Sequence, residues 1–352
     1  MRDFVYTGLP TQVFFGRGTR ARLGEAIAQV GGTRALLLST PQQAAMAREA
    51  CQGVAAIVGH FDGAVMHTPV DVTEQALELA RSVEADCIVA LGGGSTTGLG
   101  KALALRSDLP QVVIPTTYAG SEMTPILGQT EHGRKTTLRS AKVRPELVIY
   151  DVELTLGLPA GLSGTSGINA MAHAVEGLYA RDTNPIMQMM AKAGIAALAR
   201  ALPAITQAPG DIEARSDALY GAWLCGVVLG AVGMALHHKL CHTIGGSFDL
   251  PHAETHTILL PHAIAYNAAA APEAMAMLRE ALGGMADPAR AFYDLGRAVH
   301  APAALKDLGM AETGIDQAAD EAVQNPYWNP RSIEREAIRG LIARAWAGDM
   351  PA

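Results

Sequence analysis

The pattern of hydrophobic and polar positions divides the chain into two unlike halves. Up to about residue 150, short continuous apolar runs alternate with amphipathic stretches of helical period. Continuous apolar runs are typical of strands buried on both faces, so the alternation predicts a mostly parallel, Rossmann-like α/β sheet. The predicted strands are Gln12–Phe15, Arg34–Ser39, Ala55–Phe61, Cys87–Leu91, Gln111–Ile114 and Leu147–Tyr150. A hairpin is predicted over residues 129–139, with its turn at His132 and Gly133.

After Asp151 the strand signal ends, and every periodic stretch is helical. The predicted helices cover residues 162–180, 185–202, 211–229, 272–282, 288–299, 315–323 and 332–347, with a helical hairpin inside residues 233–267. Proline and glycine in the stretch Leu158–Gly161 mark a break between the halves. The sequence therefore predicts an α/β domain over residues 1–155 and an all-helical domain over residues 156–352.

Composition narrows the class of protein. The 352-residue chain is 49% hydrophobic and 17% charged, which is enough apolar material for a large core. A formal net charge of −7, without a Lys/Arg-rich run, argues against nucleic-acid binding. The four cysteines show no CxxC spacing, and we find neither a signal peptide nor an uncharged apolar run of about 18–20 residues. We expect a cytoplasmic protein without membrane spans or disulfides.

A glycine-rich turn gives the strongest ligand signal in the first half. The segment Gly92–Ser95 follows the strand Cys87–Leu91 and leads into a predicted helix, Thr97–Leu105. Glycines let a ligand approach the backbone, and the N–H groups at a helix start favour an anion. The spacing fits neither a Walker loop nor GxGxxG, and a tight ligand-free turn is the alternative. The predicted pyrophosphate contacts are Gly93, Gly94 and Ser95.

Two polar loops at neighbouring strand ends complete the predicted dinucleotide site. Hydroxyl groups after the strand Gln111–Ile114 are placed to bind ribose or a carboxamide, although they could instead cap their own helix. These residues are Thr116, Thr117, Tyr118 and Ser121. The loop after Arg34–Ser39 is neutral where a carboxylate would repel a 2′-phosphate, so we expect NADH as cofactor and NADPH to be accepted too. Its residues are Ser39, Thr40, Pro41 and Gln42.

Six of the eleven histidines lie between Gly233 and Asn267. They are His237, His238, His242, His252, His256 and His262. Spacings of four residues place His238 with His242, and His252 with His256, on shared helix faces. Any single one of them is more simply a helix cap or a core residue. The cluster as a whole indicates metal ligation or proton chemistry.

These motifs together resemble the iron-containing (group III) alcohol dehydrogenase superfamily over nearly the whole chain. The resemblance rests on Gly92–Ser95, Pro115–Thr117, Val148–Asp151 and the paired histidines. Three stretches are similar to the maleylacetate reductases within it, namely Gly161–Ala170, His237–His242 and Asn325–Arg331. The resemblance implies a dehydroquinate synthase-like fold, with a dinucleotide-binding α/β domain and a helical domain, usually as a homodimer.

The resemblance also implies a metal site that is altered in this chain. In metal-dependent members, an Asp and a His four residues later ligate iron or zinc together with two further histidines. The matching positions are Asn169, His173, His238 and His252. A neutral amide at position 169 is a poor substitute for a carboxylate, although three imidazoles can hold Zn²⁺. Because maleylacetate reductases as a group resemble metal-independent enzymes, we expect no metal.

The activity implied is reduction of the C=C bond of maleylacetate, a small dicarboxylate keto-acid, in aromatic-compound degradation. Hydride addition develops an enolate, a weaker base than an alkoxide, so imidazolium or lysine donors suffice. We predict His242 as proton donor, flanked by His238, His173 and His252. The predicted substrate contacts are Asn169, Lys239 and Arg331, the last because arginine binds carboxylates bidentately. An ordinary surface or capping role is the alternative for Lys239 and Arg331.

Three other functions stay open at this point. A metal-dependent alcohol or polyol dehydrogenase on the same fold would hold iron or zinc and oxidise short alcohols. A lyase resembling dehydroquinate synthase would use its nucleotide transiently and consume no NADH. A non-catalytic nucleotide- or metal-binding protein would lack substrate contacts.

Overall fold

The computed structural model describes residues 3–8, 10–131 and 134–352, which fall into two compact units. The first unit runs from Gly8 to Leu158. The second runs from Pro159 to Ala352, and residues 3–7 group with it. The division therefore lies at the proline-bearing turn, three residues after the position predicted from the sequence.

A six-stranded parallel sheet forms the centre of the first unit, in the order β1-β8-β5-β4-β2-β3. Its strands are β1 (Gln12–Gly16), β2 (Ala35–Leu38), β3 (Ile57–Phe61), β4 (Cys87–Gly92), β5 (Gln111–Pro115) and β8 (Leu147–Asp151). Between β5 and β8, β6 (Ile126–Glu131) and β7 (Arg134–Arg139) pair antiparallel as the predicted hairpin. Its turn at His132 and Gly133 lies outside the described residues. The predicted α/β architecture is confirmed.

Alternate strand residues pack against different helices, which explains the continuous apolar runs. The helices are α1 (Leu23–Gln29), α2 (Ala44–Ala50), α3 (Val70–Ser82) and α4 (Gly94–Ser107). On one face, Val89 and Ile114 cluster with Ile27 of α1. On the other, Ile88 and Ala90 approach Gly100 of α4. Both kinds of position are fully buried, as expected of a parallel sheet covered on both sides.

Two helix starts differ from the predicted ones. The sequence predicts a helix over residues 72–84 with Asp71 as its N-cap, because a short carboxylate precedes the amphipathic stretch. In the structure α3 begins at Val70 behind Pro69, so Asp71 lies in the first turn instead. A carboxylate there is still favoured by the positive end of the helix dipole. α4 begins at Gly94 rather than Thr97, because the glycine-rich segment itself adopts helical geometry. Its start thus lies inside the predicted pyrophosphate loop.

The regular secondary structure described in the second unit is helical, as predicted, and irregular segments connect the helices. Its helices are α5 (Ala160–Tyr179), α6 (Pro185–Gln207), α7 (Ile212–Ala231), α8 (Leu236–Phe248), α9 (His252–Asn267), α10 (Pro272–Ala281), α11 (Pro288–Ala298), α12 (Gly314–Val323) and α13 (Arg335–Ala347). α6 continues past Pro203, where a proline was expected to end it. Leu202 and Ile205 on either side are buried, and Leu202 packs on Gly167 of α5, so tertiary packing holds the helix through the proline.

In the part of the chain that the structure describes, α6 is the one unbroken helix long and apolar enough to span a membrane. α7 and α8 pass the same test only as a pair, and the chain bends by 95° between them. Core helices of globular proteins also pass this test, and α6 packs against both α5 and α7. Its apolar composition is thus accounted for by packing within the unit.

Candidate active site

One face of α5 carries three polar side chains into the interior of the helical unit. Asn169, His173 and Glu176 are spaced by four and three residues, which aligns them on the helix. Their exposed fractions are 5%, 4% and 0%. Buried polar groups require partners, so this face must be met by complementary groups from other helices. Glu176 was not among the residues predicted from the sequence.

The partners come from α8 and α9, whose histidines converge as predicted. The ring centroids of His173 and His238 lie 4.9 Å apart, and those of His238 and His256 lie 5.0 Å apart. His252 lies 4.3 Å from His256. α8 ends at Phe248, and the left-handed Asp249 begins the turn that returns the chain into α9. The two predicted pairs and His173 therefore form one histidine cluster.

Hydrogen bonds order this cluster. Glu176 Oε2 accepts from His238 Nδ1 at 2.7 Å, and His173 Nδ1 lies 2.8 Å from His238 Nε2. Because the carboxylate only accepts, His238 Nδ1 carries a hydrogen. In neutral His238 the lone pair is then on Nε2, so His173 Nδ1 is the donor. Glu176 thereby sets the direction of both hydrogen bonds, from His173 to His238 and from His238 to Glu176.

His242 and His252 lie on the exposed side of the cluster. The His242 ring is 6.0 Å from that of His238, and its Nδ1 lies 3.1 Å from the Tyr327 hydroxyl. Tyr327 belongs to the stretch Asn325–Arg331 that carried the family resemblance. Burial raises the pKa of Tyr327, so the hydroxyl keeps its proton near neutral pH. The structure thus brings together all four predicted catalytic histidines, two buried and two accessible.

A second group of buried ligand-type atoms adjoins the cluster. His237 Nε2 lies 2.9 Å from His256 Nδ1 and 3.6 Å from Cys241 Sγ. Burial is the main cause that lowers the pKa of both histidines well below the usual value and raises that of the Cys241 thiol. Neutral imidazoles and a protonated thiol form a hydrogen-bonded support, since the thiolate is the metal-binding form. The sequence pattern alone did not separate these residues from the accessible histidines.

His262 does not join the cluster, contrary to the grouping predicted from the sequence. It lies near the far end of α9 beside Thr257, Phe292 and Gly296. Burial, together with a smaller effect of the Arg344 charge, lowers the pKa of His262 to about 4. Among the described residues, its Nδ1 has no hydrogen-bond partner. Ten positions after His252, it belongs to the packing of α9 against α11.

The two predicted cationic substrate contacts have different surroundings. Arg331 lies over the ring of Tyr266 at 4.1 Å and donates from Nη1 to the Tyr266 carbonyl at 3.1 Å. These contacts cap the last turn of α9, the alternative role left open by the sequence. Lys239 lies half-buried on α8 directly after His238. Substrate binding by either residue stays a prediction.

In the α/β unit, the glycine-rich loop lacks room for side chains. A Cβ on Gly92 would lie 2.4 Å from Thr96 Oγ1, and one on Gly93 would lie 2.9 Å from Thr117 Cγ2. A Cβ on Gly94 would meet no atom within 4 Å, and Gly94 is exposed. The start of α4 is therefore packed on its inner side and open at Gly94, as an anion site at a helix start requires.

The loop after β2 contacts the loop after β5 through a residue that sequence reasoning missed. Gln43 Nε2 donates to Thr116 Oγ1 at 2.8 Å, whereas the predicted Gln42 is exposed next to Pro41. Ser39 is buried, with its Oγ 2.8 Å from His60 Nε2, and Thr40 Oγ1 bonds Gln43 Oε1 at 3.4 Å. β2 and β4 are adjacent in the sheet, and the chain order reverses there. Such a switch point is where parallel sheets bind nucleotides.

The rest of the loop after β5 is held by a buried lysine. Lys101 Nζ, on α4, donates to the carbonyls of Ser121, Thr124 and Ile126 at 2.5, 2.9 and 2.9 Å. Burial, opposed by Glu122, lowers the pKa of Lys101 to about 7. Tyr118 is completely buried, so its ring fills the core. Thr117 and Ser121 are half-buried and remain the accessible predicted hydroxyls.

Comparison with known proteins assigns the family of this chain. The model of iron-containing alcohol dehydrogenases matches residues 10–152, and that of the C-terminal part of the Fe-containing alcohol dehydrogenase family matches residues 163–346. The chain belongs to the iron-containing alcohol dehydrogenase family. It is an oxidoreductase.

Individual relatives narrow the resemblance further. The maleylacetate reductase of Rhizobium sp. (strain MTP-10005) is 56% identical over 352 residues, the full length of both chains. The crystal structure of maleylacetate reductase from Agrobacterium tumefaciens is 56% identical and superimposes with a TM-score of 0.96 over 100% of both chains. An iron-containing alcohol dehydrogenase from Corynebacterium glutamicum is 41% identical, with a TM-score of 0.93 over 98% of this chain and 97% of its own. The resemblance inferred from the motifs is confirmed.

The family contradicts the prediction that no metal is needed, because iron-containing alcohol dehydrogenases imply an iron site. The chemistry of the donor side chains suits such an ion. Among the described residues, no donor reaches the buried Asn169 Oδ1, which leaves an oxygen available on the same helix face as His173. Imidazoles are suitable ligands for iron and zinc, and Glu176 supports His238 as carboxylates support metal-binding histidines. The residues that would hold the metal are Asn169, His173, His238 and His252.

Proposed function

We propose that this oxidoreductase reduces the C=C bond of maleylacetate with NADH or NADPH, giving 3-oxoadipate. The strongest support is that the chain is 53–56% identical, over essentially its full length, to several proteins named maleylacetate reductase. The histidine cluster supports the proposal, since imidazolium groups attract an anionic substrate and deliver a proton, and neutral imidazoles donate hydrogen bonds to it. We further propose a homodimeric, cytoplasmic enzyme of aromatic-compound degradation.

The two units divide the work. The α/β unit binds the dinucleotide, with its pyrophosphate at the start of α4 and its ribose at the neutral loop of residues 39–43. The histidine cluster of the helical unit binds the dicarboxylate. Hydride from nicotinamide C4 adds to the alkene carbon β to the ketone, and the electron pair moves onto the ketone oxygen as an enolate. A proton then adds to the α-carbon, which completes the two-electron reduction.

His242 supplies that proton, because it is accessible and its Nδ1 lies within hydrogen-bond distance of the Tyr327 hydroxyl. General acid catalysis of this kind contributes about 10²–10⁴-fold. His252, which is exposed, donates a hydrogen bond to a substrate carboxylate or to the enolate oxygen. His238 orients His173 behind it through the contact between His238 Nε2 and His173 Nδ1. A divalent metal bound by the cluster would polarise the ketone as a Lewis acid. Asn169, His173 and Glu176 keep the ligand-bearing faces aligned.

The second candidate is a metal-dependent alcohol dehydrogenase. It is favoured by the 41% identity to the Corynebacterium glutamicum iron-containing alcohol dehydrogenase and by a donor set that suits iron or zinc. The alkoxide formed in that reaction is a stronger base than an enolate, so that activity would require the metal more strongly. A lyase that returns its nucleotide unchanged would leave NADH absorbance constant.

Nicotinamide absorbance discriminates these functions. Purified protein is incubated with NADH or NADPH and maleylacetate, and separately with NAD⁺ and short alcohols or diols, with and without added Fe²⁺. We expect rapid NAD(P)H oxidation with maleylacetate and formation of 3-oxoadipate. Alcohol oxidation exceeding maleylacetate reduction in kcat/KM would refute the proposal in favour of the second candidate.

A further inference from the structure

Glu176 is the most deeply buried charged group of the histidine cluster, with 0% of its surface exposed. Its two carboxylate oxygens accept three hydrogen bonds. Oε1 accepts from the backbone N–H of His237 at 2.6 Å, and Oε2 accepts from the backbone N–H of Ala235 at 2.8 Å and from His238 Nδ1 at 2.7 Å. A group that only accepts, from three donors, is acting as an ionised carboxylate. Such a buried charge is tolerated because every partner is a donor.

Two of those donors belong to the beginning of α8. The helix starts at Leu236, and its N-cap residue Ala235 has no side chain with which to cap it. Glu176 therefore caps α8 from α5 and places a negative charge at the positive end of its dipole. The same carboxylate also accepts a hydrogen bond from the ring of His238, two residues after the start of the helix. Helix position and ring orientation are thus set by one side chain.

We propose that Glu176 is the positioning residue of this site. It holds His238 in the tautomer with hydrogen on Nδ1 and the lone pair on Nε2, the nitrogen directed at His173. It also supplies, through one imidazole, the negative charge that the neutral Asn169 does not. A carboxylate hydrogen-bonded to a ligating histidine raises the basicity of that ligand. The donor set of Asn169, His173, His238 and His252 thereby suits a divalent cation.

This inference deepens the proposed function, because it explains how a cluster with an amide at position 169 keeps its imidazoles ordered. It concerns ring orientation and ligand strength. Its test therefore requires readouts that a purely structural role would leave unchanged. The tautomer of His238 and the affinity for a metal are two such quantities.

The test compares Glu176→Gln with wild type and with Asn184→Ala. A glutamine has a carbonyl at only one of the two oxygen positions and an NH₂ group that cannot accept at the other, so it cannot satisfy all three donors, and it carries no negative charge for His238. Asn184 is a matched control, because its buried side chain also accepts from two backbone N–H groups, of Ile186 and Met187 at 3.1 Å each, at the start of α6. Both substitutions therefore weaken a helix start, and only one touches a histidine.

The readouts are ¹⁵N–¹H spectra of the histidine rings and Zn²⁺ titration against a competing chelator. Glu176→Gln is expected to move the His238 hydrogen from Nδ1 or broaden its signal, and to weaken Zn²⁺ binding by about 10- to 100-fold. Asn184→Ala is expected to lower Tm while leaving both readouts at the wild-type values. An unchanged tautomer and affinity in folded Glu176→Gln would overturn the inference.

If Glu176→Gln does not fold, Glu176→Asp takes its place. The shorter carboxylate keeps the charge but cannot reach all three donors, so a smaller loss of Zn²⁺ affinity is expected, and full wild-type affinity would count against the inference. Neither readout needs turnover. A wild-type protein inactive toward maleylacetate refutes the proposed function, whereas an unaltered His238 refutes the role of Glu176.

Discussion

His242 Nδ1 and the Tyr327 hydroxyl lie 3.1 Å apart, joining α8 to the segment between α12 and α13. In neutral His242, the tyrosine hydroxyl donates to Nδ1 when the ring hydrogen is on Nε2, and Nδ1 donates to the tyrosine oxygen in the other tautomer. In the imidazolium, Nδ1 donates to the tyrosine oxygen. The contact therefore holds the His242 ring in the same orientation in both charge states, and Nε2 carries a hydrogen in the imidazolium.

Replacing His242 should affect the chemical step more than cofactor binding. In His242→Ala we expect kcat for maleylacetate to fall by about 10²-fold or more, the usual contribution of a general acid, while the KM for NADPH changes less than about threefold. Steady-state kinetics with each substrate varied separately measure the two effects. An unchanged kcat would remove His242 from the mechanism.

Tyr327→Phe is the companion variant, because it removes the hydroxyl and keeps the ring that lies 6.2 Å from that of His242. We expect a smaller loss of kcat, about three- to tenfold, since the histidine remains but is less well oriented. Combined with His242→Ala, the tyrosine change should have no further effect. An additive loss would show that Tyr327 acts independently.

Restoring a carboxylate at position 169 should strengthen metal binding. Asn169→Asp converts a neutral oxygen with no described partner into an anionic ligand for a divalent cation, so we expect at least tenfold tighter Zn²⁺ or Fe²⁺ binding. Chelator competition measures the affinity. Asn184→Asp is the control, since it adds a carboxylate at another buried asparagine, the cap of α6. Equal gains in both variants would mean that general charge, and not the cluster, attracts the ion.

The open position at Gly94 allows a test of the cofactor site that spares the fold. Gly94→Ala meets no protein atom within 4 Å, and alanine favours a helix over glycine, so Tm should not fall. The added methyl group would occupy space next to the bound pyrophosphate. We expect the Kd for NADPH, measured by fluorescence titration, to rise at least tenfold. Gly24→Ala in α1, equally unobstructed, should leave this Kd unchanged.

His262 should contribute to acid sensitivity. Its folded-state pKa of about 4 lies below the unfolded value near 6.5, so between these pH values the unfolded chain binds the extra proton. Stability is therefore lost as the pH falls below about 6.5, by on the order of 2 kcal/mol from this group at pH 5. Urea unfolding at pH 7.5 and 5.0 should show less acid loss for His262→Gln than for wild type. Exposed His300, replaced as His300→Asn, should show no such change.

Most of the fold follows from local pattern. Strands such as Cys87–Gly92 lack polar side chains because helices cover both faces of the sheet. Such a continuous run without polar side chains is recognised directly in the sequence. Prediction failed where tertiary contacts outweigh local preference. α6 passes through Pro203 because its buried face continues to Ile205, and α4 starts at Gly94 because the loop is packed against Thr117. Neither contact is visible in the local sequence.

The residue spacing predicted the histidine pairs of the site. It could not predict Glu176, whose contacts do not follow from spacing along one helix. The four-residue intervals of Asn169 with His173 and of His238 with His242 place each pair on a helix face. Glu176 acts through the backbone N–H groups of Ala235 and His237, which lie 59 and 61 positions away in the sequence. Every residue except proline has a backbone N–H, so the residue types at these positions do not reveal the contact. His262 was grouped with the cluster because it is near in sequence, but ten residues along α9 carry it away from His252.

Lys101 makes five contacts with the loop after β5, which makes substitutions in that loop costly, whereas the loop after β2 makes none of these contacts. Its ammonium ties α4 to Ser121, Thr124 and Ile126, so substitutions along that stretch would also disturb the start of α4. Pro41 and Gln42, by contrast, are exposed. A library designed to switch the enzyme between NADH and NADPH should vary residues 40–42 and keep the lysine and its three partners fixed.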